Sequence, residues 1–216
     1  MGLFDIFKKQ TKPYKNDAVN LIYELLFCDD VDLYKANTDH IENYPWNVLF
    51  SAMPNVSELK EIINNGDTDS RVKILAYHLL PENERPADKK ELLGVIVELG
   101  LDNGLDVLAS FKDGSVRYIN QTGSVLIWET ADDTSGNLTN KLFGDSHVIV
   151  NKIGVWDKPR RSHPAKGIAR ITFLVSDGIY FGEGPINVLF SDPLAAPALS
   201  SAANLMQYVT SKANNN

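Results

Sequence analysis

Two hydrophobic periods divide the chain. From Asn16 to Leu80 apolar residues recur at three- and four-residue intervals, which places them on one face of a helix. Val19, Ile22, Tyr23, Leu26 and Phe27 form the first such stripe, with Asn16 or Asp17 positioned to cap its start. Val56, Leu59, Ile62 and Ile63 form a second, beginning after Pro54 and ending at Asn65-Gly66. Val72, Leu75, Ala76 and Leu79 form a third, with Asp69 or Ser70 as its cap and Pro81 as its stop. The last two helices have the form of a single helical-repeat pair, and one pair is too few for a solenoid.

Beyond the polar stretch Pro81–Lys90 the period becomes two. Val95, Val97 and Leu99 alternate with Ile96 and Glu98, and Leu105, Val107, Ala109 and Phe111 alternate after the turn residues Asp102-Asn103-Gly104. Lys112-Asp113-Gly114 and Gln121-Thr122-Gly123 turn the chain into Val116–Ile119 and Val125–Trp128. Four strands joined by short turns predict an antiparallel meander. Residues 130–137 read as a loop. Leu138, Leu142, Ile149 and Ile153 fit a helix that Gly144 and the Val148–Val150 run weaken. A second hairpin is expected from Ile168–Val175 and Ile179–Phe181, and Leu199, Ala202, Ala203, Met206 and Val209 mark a C-terminal helix.

The pattern predicts an α+β fold: a helical N-terminal region followed by an antiparallel β-meander sheet with packing helices, among them a C-terminal one. It divides into a basic amphipathic segment 1–15, a helical region 16–85, a sheet domain 86–212 and a disordered tail 213–216. Whether 81–90 is a linker or only a loop stays open. The pentapeptide Asn-Val-Leu-Phe-Ser occurs at Asn47–Ser51 and Asn187–Ser191 with a proline soon after each copy. Its flanks do not match, so it reads as a short apolar segment used twice before a helix.

Composition narrows the class. An apolar share of 44% and a charged share of 23% suit a globular chain and exclude wholesale disorder. One cysteine, Cys28, excludes an intramolecular disulfide and a multi-cysteine zinc site, and favours a reducing, cytoplasmic setting. No stretch reaches the length of a membrane span.

Charge changes the picture more. The net value is −7, which argues against double-stranded nucleic acid as a partner. Residues 16–85 carry thirteen acids against five bases, yet two islands are positive. Residues 158–170 hold Lys158, Arg160, Arg161, Lys166 and Arg170, with His163 and no acid among them. Such cations repel one another unless something negative is near, and guanidinium groups take phosphate or carboxylate in fork geometry. Arg160, Arg161, His163, Lys166 and Arg170 are therefore candidate ligand-binding residues, with Gly167 offering a backbone N–H to the same anion. The alternative is that they pair with the acidic helical half.

The second island is residues 1–15. Leu3, Phe4 and Phe7 would share a helix face, with Lys8 and Lys9 following, the makeup of a weak contact with anionic lipid or with a partner. Docking of this segment on its own protein is the other reading. The myristoylation pattern is broken by Ile6.

Common catalytic signatures are missing from the sequence, and Phe181-Gly182-Glu183-Gly184-Pro185 fails as a dinucleotide fingerprint because Pro185 removes a donor. His147, Asp157, His163 and Glu183 are the available acid–base groups, with nothing in the sequence to place them together. No cofactor and no metal is implied. The expectation is a cytoplasmic, non-enzymatic binding or scaffolding module whose loop 158–170 meets an acidic partner or an anionic ligand. The alternatives are an enzyme acting on a phosphorylated or carboxylated small molecule, and a peripheral membrane protein attached through residues 1–15. An open sheet edge would permit homo-oligomers.

Overall fold

The computed structural model describes residues 12–39, 41–85, 90–129 and 132–213. Leu3, Phe4, Phe7, Lys8 and Lys9 lie outside them, as do residues 214–216.

Helix α1 (Asp17–Leu25) starts where the Asn16 side chain accepts the Ala18 N–H, and its Val19 and Tyr23 are buried. Helices α4 (Val56–Asn64) and α5 (Ser70–Leu79) begin the same way, at Asn55 and Asp69. Two short helices between them, α2 (Val31–Ala36) and α3 (Trp46–Leu49), have too few turns to show a period.

The meander forms as predicted: β1 (Leu92–Leu101), β2 (Gly104–Phe111), β3 (Val116–Ile119) and β4 (Val125–Trp128). Gly104 turns the first hairpin at φ +147°, a conformation that a side chain disfavours. The expected loop 130–137 is shorter than read, because helix α6 (Asp133–Val150) already begins at Asp133. Asp132 accepts from the Ser135 N–H while the Ser135 hydroxyl answers the Asp132 backbone, a capping box that anchors the helix early. Gly144 does not break it, since it stands on the exposed side, and Ile149 and Val150 continue it because they are buried. Strands β5 (Ile168–Val175) and β6 (Gly178–Pro185) follow, the latter longer than expected. A single helical turn, α7 (Ile186–Leu189), leads to α8 (Ala196–Ala213), which includes the first residue assigned to the tail.

The six strands lie in the order β4-β3-β2-β1-β5-β6, each antiparallel to its neighbours. Strand β1 sits at the centre and is covered on both faces. On one side Leu93 and Ile96 join Leu105, Val107 and Phe111 under Tyr23, Phe27, Leu59, Ile62 and Leu75 of the N-terminal helices. On the other, Val95 and Val97 join Phe173 under Leu142 and Ile149 of α6 and Leu199, Ala202 and Leu205 of α8. Three layers result, with the sheet in the middle. Ser70 and Asp113 tie the helical layer to the β2–β3 turn reciprocally: the Ser70 N–H donates to Asp113 Oδ2 at 2.7 Å, and the Asp113 N–H donates to Ser70 Oγ at 3.0 Å.

Candidate functional site

The basic loop leaves α6, crosses the end of β6 and returns as β5. Its first anchor is Trp156, whose N–H donates to the Ile179 carbonyl at 2.8 Å and whose ring meets Phe181 edge-on at 4.9 Å. The indole N–H donates to the Pro159 carbonyl, and the Lys158 ammonium stands 5.5 Å over the ring. Its last anchor is Gly167, at φ +80°, whose N–H donates to the Gly100 carbonyl at 2.8 Å. That corrects the reading of Gly167 as an anion donor: this N–H is already spent on β1. The close approach depends on Gly100, where a side-chain carbon would overlap the Ala165 carbonyl.

Each arginine of the loop and of the start of β5 has an acidic partner within the chain. Arg160 reaches the helical layer: its Nε donates to Asp29 at 2.7 Å, its Nη2 pairs with Glu24, and its guanidinium lies 3.9 Å from the Phe27 ring centroid. Burial works against its charge, but the Asp29 and Glu24 carboxylates outweigh it and raise its pKa. Its Nη1 is buried without a hydrogen bond. Arg170 is the inner anchor, with only 4% of its side chain exposed. Register explains its company. Arg170 lies opposite Glu98 on β1 and opposite Glu183 on β6, so one cross-strand row reads acid, base, acid. Arg170 donates to Glu183 at 2.8 and 2.5 Å, stands 3.6 Å from Glu98, and donates to the Arg161 and Ser162 carbonyls. Glu98 is fully buried and accepts the Tyr23 hydroxyl at 2.6 Å. Burial raises its pKa, against the pull of Arg170 and the Tyr23 hydrogen bond.

The outer cations differ. Arg161 pairs with Glu183 at 3.0 Å while 52% of its side chain stays exposed. Lys166 pairs with Asp102, with both side chains largely in solvent, and that hydrogen bond raises the lysine pKa. His163 is half-buried, with Nδ1 3.2 Å from the Pro164 carbonyl oxygen.

Loop and helical layer together wall a cleft of about 830 Å³, lined by Glu24, Asp29, Asp32, Leu33, Phe50 and Arg160 among others. The four acid–base groups do not converge on it. Glu183 is turned to Arg161 and Arg170, and His147 is on the last turn of α6, in the opposite layer. Cys28, fully buried, has its thiol pushed up to about 12 by burial, which removes it as a nucleophile. Among the described residues no group of three or more His, Cys, Asp or Glu is arranged to hold a metal, and no described helix is long and apolar enough to cross a membrane.

The acids that receive the arginines are what the sequence did not assign. Glu98 carried a signal, since a carboxylate in the middle of an apolar strand needs a buried partner. Glu24 and Asp29 belong to the acidic helical half that the alternative reading named, but no local pattern singled them out from its other acids, since more than 130 residues of chain separate them from Arg160. No protein family and no curated protein matches the chain.

Proposed function

We propose that this protein is a non-enzymatic binding module of the reducing cytoplasm that holds an acidic partner or an anionic ligand on the outer face of loop 158–170. The observation that carries the reading is the division of labour among the cations. Arg160 and Arg170 face inward and fix the loop, whereas Arg161 keeps half its side chain in solvent while sharing Glu183 with Arg170, and Lys166 pairs with Asp102 out in solvent. Exposed pairs are worth about 0–1 kcal/mol, so an external phosphate or carboxylate can displace Asp102 or share Arg161 with little loss. A preorganised loop also spares the ligand the entropy of ordering it. His163 lies between the two cations in sequence.

The test is a thermal-shift and calorimetric titration of the full chain with phosphate, sulfate, small dicarboxylates and a polyglutamate peptide at low and high salt. One or more of these should stabilise the protein at low salt, less at high salt, and not at all in Arg161→Ala/Lys166→Ala. Equal stabilisation of that double variant would remove the outer cations from the account. The unshifted melting temperature of the unliganded variant serves as the control for folding.

A further inference from the structure

One member of the cross-strand row is short of partners. Glu98 is 0% exposed in the middle of β1. Its Oε1 accepts the Tyr23 hydroxyl at 2.6 Å, whereas its Oε2 is buried without a hydrogen bond. Arg170 does not supply that bond: its Nη1 stands 3.6 Å away, and its Nε and Nη2 donate to Glu183. Arg160 and His163 of the basic loop add positive charge at longer range. Strand β2 places the uncharged Val107 opposite, and the Tyr14 hydroxyl is committed to the Leu105 carbonyl. Glu183 on β6 lies beyond Arg170. A buried carboxylate in this position either keeps its compensating cation or sheds its charge. Burial already outweighs Arg170 and the Tyr23 hydrogen bond, and holds the Glu98 pKa above its ordinary 4.5.

The row continues to the surface. Glu183 Oε2 takes the Arg170 fork, and Glu183 Oε1 takes Arg161 at 3.0 Å, with 52% of the Arg161 side chain in solvent. From core to rim the charges therefore alternate: Glu98, Arg170, Glu183, Arg161. An anion that claims Arg161 from outside draws it off Glu183. Glu183 then depends on Arg170 alone, and Arg170 answers Glu98 less. A buried carboxylate with less compensation neutralises itself by taking a proton.

We propose that Glu98 is a proton-binding site coupled to the outer face of loop 158–170: it takes up a proton when an anion claims Arg161, and anions bind there more tightly as pH falls. The coupling rests on the anion-binding reading of the loop. Linkage makes it reciprocal, so whatever protonates Glu98 strengthens the anion site by the same factor as the anion strengthens the proton. The bound anion and the proton meet through the row and not by contact, since Glu98 is sealed from solvent.

Calorimetric titration of the full chain with sulfate, whose charge stays fixed over the range, tests the proposal. From about pH 8 to about pH 5.5 the wild-type affinity should rise by about 5–150-fold, the usual span for coupled sites. Repetition in buffers of different protonation enthalpy should show protons taken up on binding. Glu98→Gln imitates the protonated acid, and it should bind at pH 8 as the wild type binds in mild acid, losing most of the rise and of the uptake. A flat wild-type profile overturns the proposal, and so does a profile that Glu98→Gln leaves unchanged, which would pass the proton to another group such as His163. Carbon NMR of the Glu98 carboxyl, assigned as the signal missing from Glu98→Gln, reads the row without any ligand. Its midpoint should lie above those of exposed glutamates and rise further in Arg161→Ala, where the outer cation is withdrawn for good. A midpoint among the exposed glutamates, or one that Arg161→Ala does not move, overturns the proposal. Sulfate that binds at no pH, with the midpoint still moved, would sink the anion-binding reading while upholding the tie between Glu98 and Arg161.

Discussion

Arg170 answers two carboxylates from inside the sheet, Glu183 by hydrogen bonds and Glu98 at 3.6 Å. Removing one partner of a buried pair leaves a desolvated charge behind, at a cost of about 3–5 kcal/mol. Arg170→Met should therefore lower stability by that order, and Glu98→Leu/Arg170→Met should recover most of the loss. Urea denaturation decides it, and a single variant within about 1 kcal/mol of wild type would show that the row is not coupled. Asp113 makes a pH prediction. Burial opposes its ionisation, but the N–H groups of Ser70 and Ser115 donate to it and hold its pKa below the ordinary 3.8. A depressed carboxylate contributes stability above its unfolded value, and that contribution disappears as pH falls through the folded one. The stability gap between wild type and Asp113→Asn should thus be widest near neutrality and close below about pH 3.8. A gap that persists unchanged into acid would trace to the amide's geometry and not to charge. At this scale the sequence was half legible. Five cations without an acid among them announced hidden partners, but the identity of those partners depended on strand register and on helix placement, which no local pattern encodes.

Elements show where local pattern suffices. Strands β1 to β4 were readable because turn residues at Asn103-Gly104, Asp113-Gly114 and Thr122-Gly123 punctuate an alternation of period two. Helices α2, α3 and α7 were not, since four to six residues span less than two turns. Yet the repeated Asn-Val-Leu-Phe-Ser segment takes the same form in both places. The Phe50 N–H donates to the Trp46 carbonyl and the Phe190 N–H to the Ile186 carbonyl, after Pro45 and Pro185 respectively. A proline stands at the N-cap ahead of each copy, with a different backbone conformation in the two places (ψ −1° at Pro45, 138° at Pro185), so the shared turn belongs to the pentapeptide itself. The contact between β1 and the basic loop supplies the prediction at this scale. Gly100→Ala would drive a methyl group into the Ala165 carbonyl and should destabilise by about 1–3 kcal/mol while weakening anion binding. Wild-type melting and titration of this variant would show that the loop tolerates displacement.

At the scale of the whole molecule the helical region and the sheet share a core, in which Leu59, Ile62 and Leu75 pack in one cluster with Ile96, Val107 and Phe111. Unfolding should be a single transition. In urea, the fluorescence of Trp46 retained alone in Trp128→Phe/Trp156→Phe and that of Trp128 retained alone in Trp46→Phe/Trp156→Phe should change at one midpoint, and separated midpoints would mark 16–85 as an independent unit. Arg160 adds an ionic tie between the layers, and Arg160→Ala should cost about 1.5–3 kcal/mol, the range for hydrogen bonds to charged groups.

The position of β1 has a consequence for biosynthesis. Its partner on one side, β2, is made immediately after it, but its partner on the other, β5, follows only after the whole of α6 and the basic loop. While the ribosome is still adding those residues, the future centre of the sheet is an edge, apolar on both faces and ready to pair with any passing strand. The nascent chain is therefore at its most adhesive midway through its own synthesis. Slow stretches of translation between Ala131 and Gly167 would lengthen that interval, and a chaperone that shields strand edges would shorten its effect.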